Sequence, residues 1–296
     1  ALKKNNGKVF SIQRSYPMNY DGVFASYYNN DYFFCWGKHS KRLYENILNI
    51  NKELIETGVS FSLLSNNPVR DDISKFFKKR NIRYKILLLD TNHSFNDQSI
   101  YQNHVLNYQT VHTNSLEIFY MKFFDLISKN HKIGLVIKPK KMHLFNKLKN
   151  VKKFIKEGNK NNIPIYLIED KDKIQLNDLK TEIDLVVNVS FYTPSIFMES
   201  IILGFRTICY DYANIFNFEK NQLNIDDEIL KNISNNMDEI IKLISRLFSD
   251  IANNKSNDYG YWSKKSRMEL DRFLDGNGNQ RIANKLDEIF NNLKNN

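Results

Sequence analysis

A polar turn, Ser190-Phe191-Tyr192-Thr193-Pro194-Ser195, lies between two apolar segments of the chain. The segment before it, residues 184–189, is typical of a buried strand, and the segment after it is typical of a helix that ends at Gly204. Thr193 is placed to cap this helix, with Pro194 at its first position. The free N–H groups and the positive dipole end of such a helix favour a bound phosphate or carboxylate. The turn is therefore a candidate anion site.

Side chains in and after this turn can add contacts to the same ligand. The hydroxyl groups of Ser190, Thr193 and Ser195 would donate hydrogen bonds to a phosphate without adding a competing charge, and Tyr192 belongs to the same polar set. Glu199 follows Ser195 by one helical turn on the same face, where its carboxylate can accept hydrogen bonds from ribose hydroxyls. A well-capped helix without a ligand is the competing interpretation. It explains Thr193 but leaves the other polar residues unexplained.

A second polar turn ends another predicted strand. Lys138 and Pro139 close a buried strand predicted over residues 132–139, and Lys140 follows it. Proline ends the strand and fixes the direction of the chain, so that Lys138 or Lys140 can be held toward a ligand. An ammonium group there would neutralise a phosphate or the carboxylate of an acidic sugar. The alternative is a strand that simply ends in solvated lysines. The presence of two turns suited to anions at the ends of strands argues against that alternative.

These turns can serve one ligand only if the strands before them lie parallel in one sheet. Strand-like and helix-like segments alternate along the chain, which is the pattern of parallel sheets covered by helices. In an open parallel sheet, ligands bind outside the carboxyl ends of the strands, where both turns fall. The predicted strands cover residues 31–36, 59–65, 83–90, 132–139 and 163–170, with two more around the helix inside residues 184–212.

The predicted helices fill the intervals between these strands. They cover residues 40–58, where Gly58 is the predicted stop, and residues 67–81, 114–130 and 142–162, and residues 225–296 are predicted to be mostly helical. The polar segment 91–113 interrupts the alternation and is predicted to be an interdomain connection or an active-site loop.

The predicted fold class is α/β, with two Rossmann-like lobes, parallel sheets and a C-terminal helical tail. Residues 1–112 would form an N-terminal lobe on the acceptor side, and residues 113–296 a C-terminal lobe on the donor side. Residues 1–30 show no clear order of strands and helices, so truncation of the first lobe is one interpretation.

Composition narrows the classes of partner. The chain has 296 residues, 42% of them hydrophobic and 13% aromatic, which suffices for packed cores. Its formal net charge of +10 indicates anionic partners, such as nucleic acid, anionic lipid head groups or nucleotide-sugar phosphates. No helix-turn-helix, zinc-finger or RNA-recognition motif accompanies the lysines, so a specific nucleic-acid partner is not expected.

The remaining sequence signals favour a metal-free protein of the cytoplasm. The 6 histidines form no i, i+4 pair, and the 2 cysteines, Cys35 and Cys209, form no metal-binding or disulfide pattern. No apolar run reaches the roughly 20 residues that span a bilayer. We expect a cytoplasmic location, and the sequence is also compatible with a peripheral contact with the inner membrane.

The motifs "IKPK" and "DLVVNVSFYTPSIFMESIILGFRTICYDY", with the tail "LDRFLDGNGNQRIANKLDEI", resemble those of bacterial surface and capsular polysaccharide glycosyltransferases of the GT-B fold. The group that they resemble most uses CMP-Kdo, as in capsule or lipopolysaccharide biosynthesis. The resemblance covers roughly residues 113–290 and does not extend to the first 112 residues.

The resemblance implies a nucleotide-sugar donor, of the CMP type, bound mainly by the second lobe, and a glycan or glycolipid acceptor bound by the first. It implies no cofactor and no metal. Lys138 would meet the anionic groups of the donor, the hydroxyls of the Ser190–Ser195 turn its phosphate, and Glu199 its ribose. The family's sialyltransferase-type relatives have His-Pro where this chain has Lys-Pro. A lysine there can stabilise the charge of the leaving phosphate but is not suited to protonate it.

The catalytic carboxylate or general base would then come from the first lobe or the linker. Asp90 ends a predicted buried strand and is the first candidate, followed by Asp21 and His93. Each is also explained as a turn residue or a helix cap. The sequence leaves inverting and retaining outcomes equally open.

The leading hypothesis is thus a metal-independent glycosyltransferase that moves a sugar onto a bacterial surface glycan, with Kdo as the first candidate for that sugar. A GT-B-like transferase or epimerase that uses a UDP-sugar or CDP-glycerol is the alternative within the same fold. A basic protein that binds nucleic acid or a membrane surface is the alternative that is not an enzyme.

Overall fold

The computed structural model describes residues 7–13, 30–48, 53–59, 71–94, 110–190, 195–212 and 231–294. The chain separates into two compact units. The first unit combines residues 1–66 with residues 263–296, and the second unit runs from residue 67 to residue 262. Within the ranges described, no helix combines the length and the apolar character needed to cross a membrane.

The regular elements alternate along the chain. The strands are β1 (Phe10–Ile12), β2 (Tyr32–Cys35), β3 (Glu53–Glu56), β4 (Tyr84–Leu89), β5 (Asn92–Ser94), β6 (Thr110–His112), β7 (Ile133–Lys138), β8 (Ile165–Leu167), β9 (Leu185–Ser190), β10 (Thr207–Asp211) and β11 (Ile233–Ser234). The helices are α1 (Lys38–Leu48), α2 (Asp71–Lys78), α3 (Thr113–Lys129), α4 (Met142–Phe145), α5 (Lys149–Lys160), α6 (Ser195–Leu203), α7 (Met237–Ala252), α8 (Lys264–Leu270) and α9 (Gly278–Lys294).

The second unit is built on a parallel sheet with the spatial order β8-β7-β4-β9-β10-β11. Its first strand along the chain, β4, lies between its second strand, β7, and its fourth strand, β9. This is the strand order of the doubly wound Rossmann sheet. The sheet confirms that the α/β pattern of the sequence encodes a parallel, Rossmann-like lobe.

The central strands are nearly continuous apolar runs, YKILLL in β4 and IGLVIK in β7, because helices cover both faces of the sheet. On one face, α3, α5 and α7 share a core with the sheet. The ring of Tyr84 in β4 stacks on Phe248 of α7 with 4.6 Å between ring centroids. Phe124 of α3 stacks on Phe154 of α5 at 4.4 Å.

The opposite face of the same sheet packs against α2 and α6. The Phe77 ring of α2 lies directly over Gly134 of β7. Ile133 and Leu135, on either side of Gly134 in the strand, point to the first face, so Gly134 faces α2. Phe197 of α6 meets the ring of Trp262 edge-on, and the Trp262 indole N–H donates to the Thr207 carbonyl oxygen over 2.9 Å. Helices therefore leave the central strands toward both faces.

The first unit contains a separate parallel sheet, β1-β2-β3, with α1, α8 and α9. The Gln13 side chain accepts the Trp36 backbone N–H over 2.8 Å, and the Gln13 carbonyl accepts the Trp36 indole N–H over 3.1 Å. The buried Asp271 carboxylate accepts backbone N–H groups of Val59 and Phe273. The C-terminal helices are thereby bound into the unit that holds the N-terminal strands.

The structure differs from two predicted helices. The predicted helix 40–58 is wrong in its second half, because α1 ends at Leu48 and Glu53–Glu56 form β3, which pairs in parallel with β2. Gly58 has a φ of +82° but follows this strand instead of ending a helix. The predicted helix 142–162 is broken into α4 and α5. In the predicted strand 59–65, only Val59 lies within the described residues.

The units also differ from the predicted division between residues 112 and 113. Strand β4 pairs with both β7 and β9, so it belongs to the sheet of the later strands. Residues 263–296 join the first unit, whereas the sequence pattern attached them to the C-terminal lobe. Parallel pairing joins strands that are distant along the chain, and the order of the elements alone does not reveal it. The predicted polar connection 91–113 contains β5 and β6, which pair with each other.

The close approach of Gly134 to Phe77 predicts a cost for any side chain at this position. A Cβ atom on residue 134 would overlap the buried Phe77 ring. We expect Gly134→Ala to lower the free energy of unfolding by about 1–3 kcal/mol, the usual cost of overpacking a core. Urea denaturation measures this change.

The matched control is the same substitution in a Phe77→Leu background. The smaller side chain leaves room for the methyl group, so Gly134→Ala should cost clearly less there. An equal cost in both backgrounds would show that the Phe77 contact is not the cause.

Candidate functional site

The strand order defines where a ligand would bind. The order of the strands reverses between β4 and β9, and helices leave the sheet on opposite faces there. Such a switch point opens a crevice outside the carboxyl ends of the strands. The residues at this edge of the second unit are therefore the first to consider.

Several predicted residues meet at this edge. Leu89, the last residue of β4, pairs with Lys138 on one side and with Asn188 on the other. Asp90 follows Leu89 directly, and Ser190 ends β9 opposite Asp211 of β10. The two polar turns singled out in the sequence thus leave the same edge of one sheet, on either side of Asp90.

Asp90 is held by two hydrogen bonds. It is 5% exposed, and the Tyr120 hydroxyl of α3 donates to its Oδ2 over 3.0 Å. The backbone N–H of Lys140 donates a short hydrogen bond to its Oδ1. Burial raises the pKa of Asp90 to about 7, against the opposing effects of these two donors and of the ammonium groups of Lys140 and Lys138. Burial and Asp90 together raise the pKa of Tyr120, so the phenol keeps its proton and acts as a donor.

Lys138 and Glu199 lie on the other face of the sheet. Ile137 packs into the core on the α3 side, and Lys138 alternates with it, so Lys138 points toward the face that α6 covers. Burial raises the pKa of Glu199 to about 7, and the positive charge of Lys138 opposes this rise. An ammonium group and a carboxyl group that titrates near neutrality therefore share this side of the edge.

Asn188 is a polar residue of the site that the sequence analysis missed. It is fully buried in β9, and its amide nitrogen and oxygen have no hydrogen-bond partner among the described residues. Leaving buried amide groups unpaired costs on the order of 1–3 kcal/mol each. The signal was present as a lone asparagine in the apolar run LVVNV, the place where a structural strand would have another apolar residue.

The other predicted residues are placed as follows. Ser195 begins α6 and Pro139 is buried after β7. His93 lies in β5, where its Nδ1 and the Thr113 hydroxyl are 3.0 Å apart and hydrogen-bonded, and burial lowers the pKa of its imidazole. Tyr192, Thr193 and Asp21 lie outside the described residues, and Ser190 is described in its backbone alone.

The edge offers cations and hydrogen-bond donors more readily than metal ligands. Among the residues that the structure describes, no three His, Cys, Asp or Glu side chains cluster in a way that could hold a metal ion. Lys138 and Lys140 supply positive charge, and the start of α6 supplies backbone N–H groups; both suit a phosphate.

Comparison with known proteins supports the fold. No protein-family model and no curated sequence matches the chain. Among solved structures, MnaA of S. aureus with UDP is similar at 13% identity with a TM-score of 0.56, covering 98% of this chain and 69% of that chain. The wall teichoic acid polymerase TagF is similar at 11% identity with a TM-score of 0.53, covering 99% and 71%.

A third similar structure is the UDP-GlcNAc 2-epimerase of Neisseria meningitidis bound to UDP-GlcNAc. It has 13% identity and a TM-score of 0.51, and the match covers 96% of this chain and 71% of that chain. At such low identity the likeness shows the fold alone. It confirms the predicted class, a GT-B fold with Rossmann-like parallel sheets and C-terminal helices.

The raised pKa of Glu199 predicts a dependence of stability on pH. Its ordinary pKa is 4.5, and the value in the fold is about 7. Between these values the unfolded chain releases a proton that the folded chain keeps, so this group's contribution is full below pH 4.5 and is lost as the pH rises through about 7. We expect Glu199→Gln to gain stability relative to wild type on going from about pH 5 to about pH 8, by roughly 1–3 kcal/mol.

Urea denaturation of both proteins at several pH values measures this gain. Glu157→Gln serves as the control, since Glu157 is exposed on α5. Its difference from wild type should stay constant over the same range. If the stability difference between Glu199→Gln and wild type is also independent of pH, the pKa of Glu199 is not raised in the folded protein.

Proposed function

We propose that this chain is an enzyme that transfers a sugar, or a related group, from a nucleotide-activated donor to a glycan or glycolipid acceptor. The observation that carries the proposal is the location of Lys138 at the end of β7, beside the switch point of a GT-B-fold sheet and on the face that α6 covers, where its charge acts on Glu199. This edge combines groups suited to phosphate with a carboxyl group suited to ribose hydroxyls.

Each residue then has a chemical role. Lys138 contacts the phosphate of the donor, Ser190, Thr193 and Ser195 donate hydrogen bonds to it, and Glu199 accepts from the ribose. The bond between the anomeric carbon and the phosphate oxygen breaks, and an acceptor hydroxyl oxygen forms the new bond and loses its proton to a base. The ammonium and the N–H groups at the start of α6 stabilise the phosphate that departs, which is why a bound metal is not required.

The identity of the donor is the finer part of the proposal. The motif resemblance favours CMP-Kdo. Two of the similar structures were determined with UDP or UDP-GlcNAc, which favours a UDP-activated donor equally well. All of these donors present a phosphate and a ribose, the groups that Lys138 and Glu199 are suited to meet. The nucleotide panel below tests which nucleobase the donor carries.

An epimerase is the second candidate, because one similar structure is a UDP-GlcNAc 2-epimerase. An epimerase converts its nucleotide sugar without any acceptor and retains the nucleotide in the product. Release of free nucleotide only when an acceptor is present would favour the transferase.

A nucleotide panel tests the donor site. Thermal unfolding is followed with CMP, CDP, UDP and GDP, since a ligand that binds the folded state raises its stability by RT ln(1 + [L]/Kd). We expect at least one pyrimidine nucleotide to raise the Tm. Lys138→Ala should weaken its binding by about tenfold or more, the scale of one lost contact between a cation and a phosphate.

The matched control is Lys132→Ala. Lys132 is exposed just before the opposite end of the same strand, β7. It should bind the nucleotide as wild type does. A shift with UDP or CDP but not with CMP would reject the CMP-Kdo donor while leaving the enzyme class intact, and no shift with any of the four would reject the donor site.

The first unit contains a groove with basic side chains. A groove of about 700 Å³ is lined by Lys38, Glu56, Lys264, Lys265, Met268, Glu269 and Arg272. Its carboxylates lie close to cations, Glu269 at 3.8 Å from Lys38 and Glu56 at 3.9 Å from Arg272. Lys264 and Lys265 add positive charge beyond these pairs. We propose that this groove receives an anionic glycolipid at the inner membrane.

Reversal of two charges tests the groove. The double variant Lys264→Glu with Lys265→Glu should lose about fivefold or more in binding to phosphatidylglycerol vesicles for each lysine, because one basic side chain near such a surface contributes ~1 kcal/mol. Vesicle sedimentation measures the loss. Lys153→Glu with Lys156→Glu, on the exposed side of α5, changes the net charge equally. Equal losses in both double variants would show that net charge, and not the groove, binds the membrane.

A further inference from the structure

We propose that Asp90 is a positioning residue that fixes the turn of Lys138, Pro139 and Lys140, and that it is not the catalytic base. The inference rests on the proposed function, since the turn that Asp90 holds is the one assigned to the donor phosphate. Asp90, the first catalytic candidate in the sequence, would then hold the turn and not transfer a proton.

Asp90 connects three elements. Its position at the end of β4 is set by the sheet, its Oδ2 accepts from Tyr120 of α3 over 3.0 Å, and its Oδ1 accepts from the backbone of Lys140. Tyr120 is itself fully buried and meets the ring of Phe145 of α4 edge-on, with 5.6 Å between the centroids. The carboxylate therefore rests on a rigid part of the core and carries that rigidity to the turn.

The turn needs such a tie because of its sequence. Pro139 has no N–H, so it cannot continue the ladder of strand hydrogen bonds. The N–H of Lys140 is the first backbone donor after β7, and it is directed to a carboxylate instead of a neighbouring strand. The Lys141 carbonyl accepts from Leu144 as α4 begins. The bond to Asp90 thus fixes the chain between the end of β7 and the start of α4.

The same contacts argue against a catalytic base. A general base must reach the proton of the acceptor hydroxyl within hydrogen-bond distance. Both oxygens of Asp90 already accept from protein donors, and the residue is 5% exposed. Its surroundings suit a structural acceptor for an N–H group.

Two substitutions separate the roles. Asp90→Asn keeps an oxygen that can accept from Lys140, whereas Asp90→Ala removes it. In Asp90→Ala we expect amide hydrogen exchange in a peptide over residues 138–145 to accelerate about tenfold, and the Kd of the best nucleotide of the panel to rise about tenfold, the scale of one hydrogen bond to an ionised group. Asp90→Asn should stay within about threefold of wild type in both measurements, since a neutral hydrogen bond contributes less.

The control is Asp184→Ala. Asp184 makes the equivalent contact at the opposite end of β4, where its Oδ2 accepts the backbone N–H of Lys85 over 2.7 Å. Its loss should leave exchange at residues 138–145 and nucleotide binding as in wild type. Where Asp90→Ala does not fold, Tyr120→Phe removes the second anchor of the carboxylate and should accelerate exchange in the same peptide by about threefold.

Two results would overturn the inference. One is unchanged exchange at residues 138–145 in Asp90→Ala or, where that variant does not fold, in Tyr120→Phe. The other is an Asp90→Asn enzyme with wild-type exchange and nucleotide affinity but a kcat lowered by more than about a hundredfold, which is the behaviour of a general base. The exchange measurement is made without nucleotide, so it decides the role of Asp90 even where the wild-type protein binds none and the proposed function fails.

Discussion

The parallel pairing of β4 with both β7 and β9 is the constraint on which the rest of the second unit depends. Because β4 is central, its carboxyl end is flanked by the ends of the second and fourth strands of the sheet. Helices cover both faces of these strands, so the side chains just beyond the strand ends are the ones that can reach solvent. The polar residues of the chain's two turns are concentrated there, whereas residues Ile86–Leu89 of β4 are apolar and buried.

Burial at this edge controls its electrostatics. Asp90 on the α3 side and Glu199 on the α6 side both have a pKa raised to about 7 by burial, with lysines opposing the rise. Each carboxyl group is thus near the balance between its charged and neutral forms at neutral pH. The two differ in their partners: Asp90 accepts hydrogen bonds from the Lys140 N–H and the Tyr120 hydroxyl, whereas Glu199 is influenced by the positive charge of Lys138. Fixed hydrogen-bond donors suit a residue that holds a turn.

Much of this arrangement could be predicted from the sequence. The strands β4, β7, β9 and β10 appear as apolar runs, and each ends in a polar turn, so the location of the candidate site followed from local patterns. The strand β3 could not be found in this way. Glu53 and Leu54 continue the helical spacing of α1 and favour a helix on their own. Only pairing with β2, across an intervening helix, turns this segment into a strand.

The role of Asp90 shows the same limit at the scale of one residue. Its place at a strand end was evident in the sequence, and a carboxylate there suggested catalysis. Its two partners, Tyr120 and Lys140, are thirty and fifty residues further along the chain. No local pattern reveals them, and they decide whether a carboxylate is available to a substrate or committed to the backbone. Lys138 precedes a proline that has no N–H, so the first backbone donor that can hold the chain beyond the lysine is the N–H of Lys140. A carboxyl group whose oxygen accepts that N–H therefore serves phosphate binding by holding the turn.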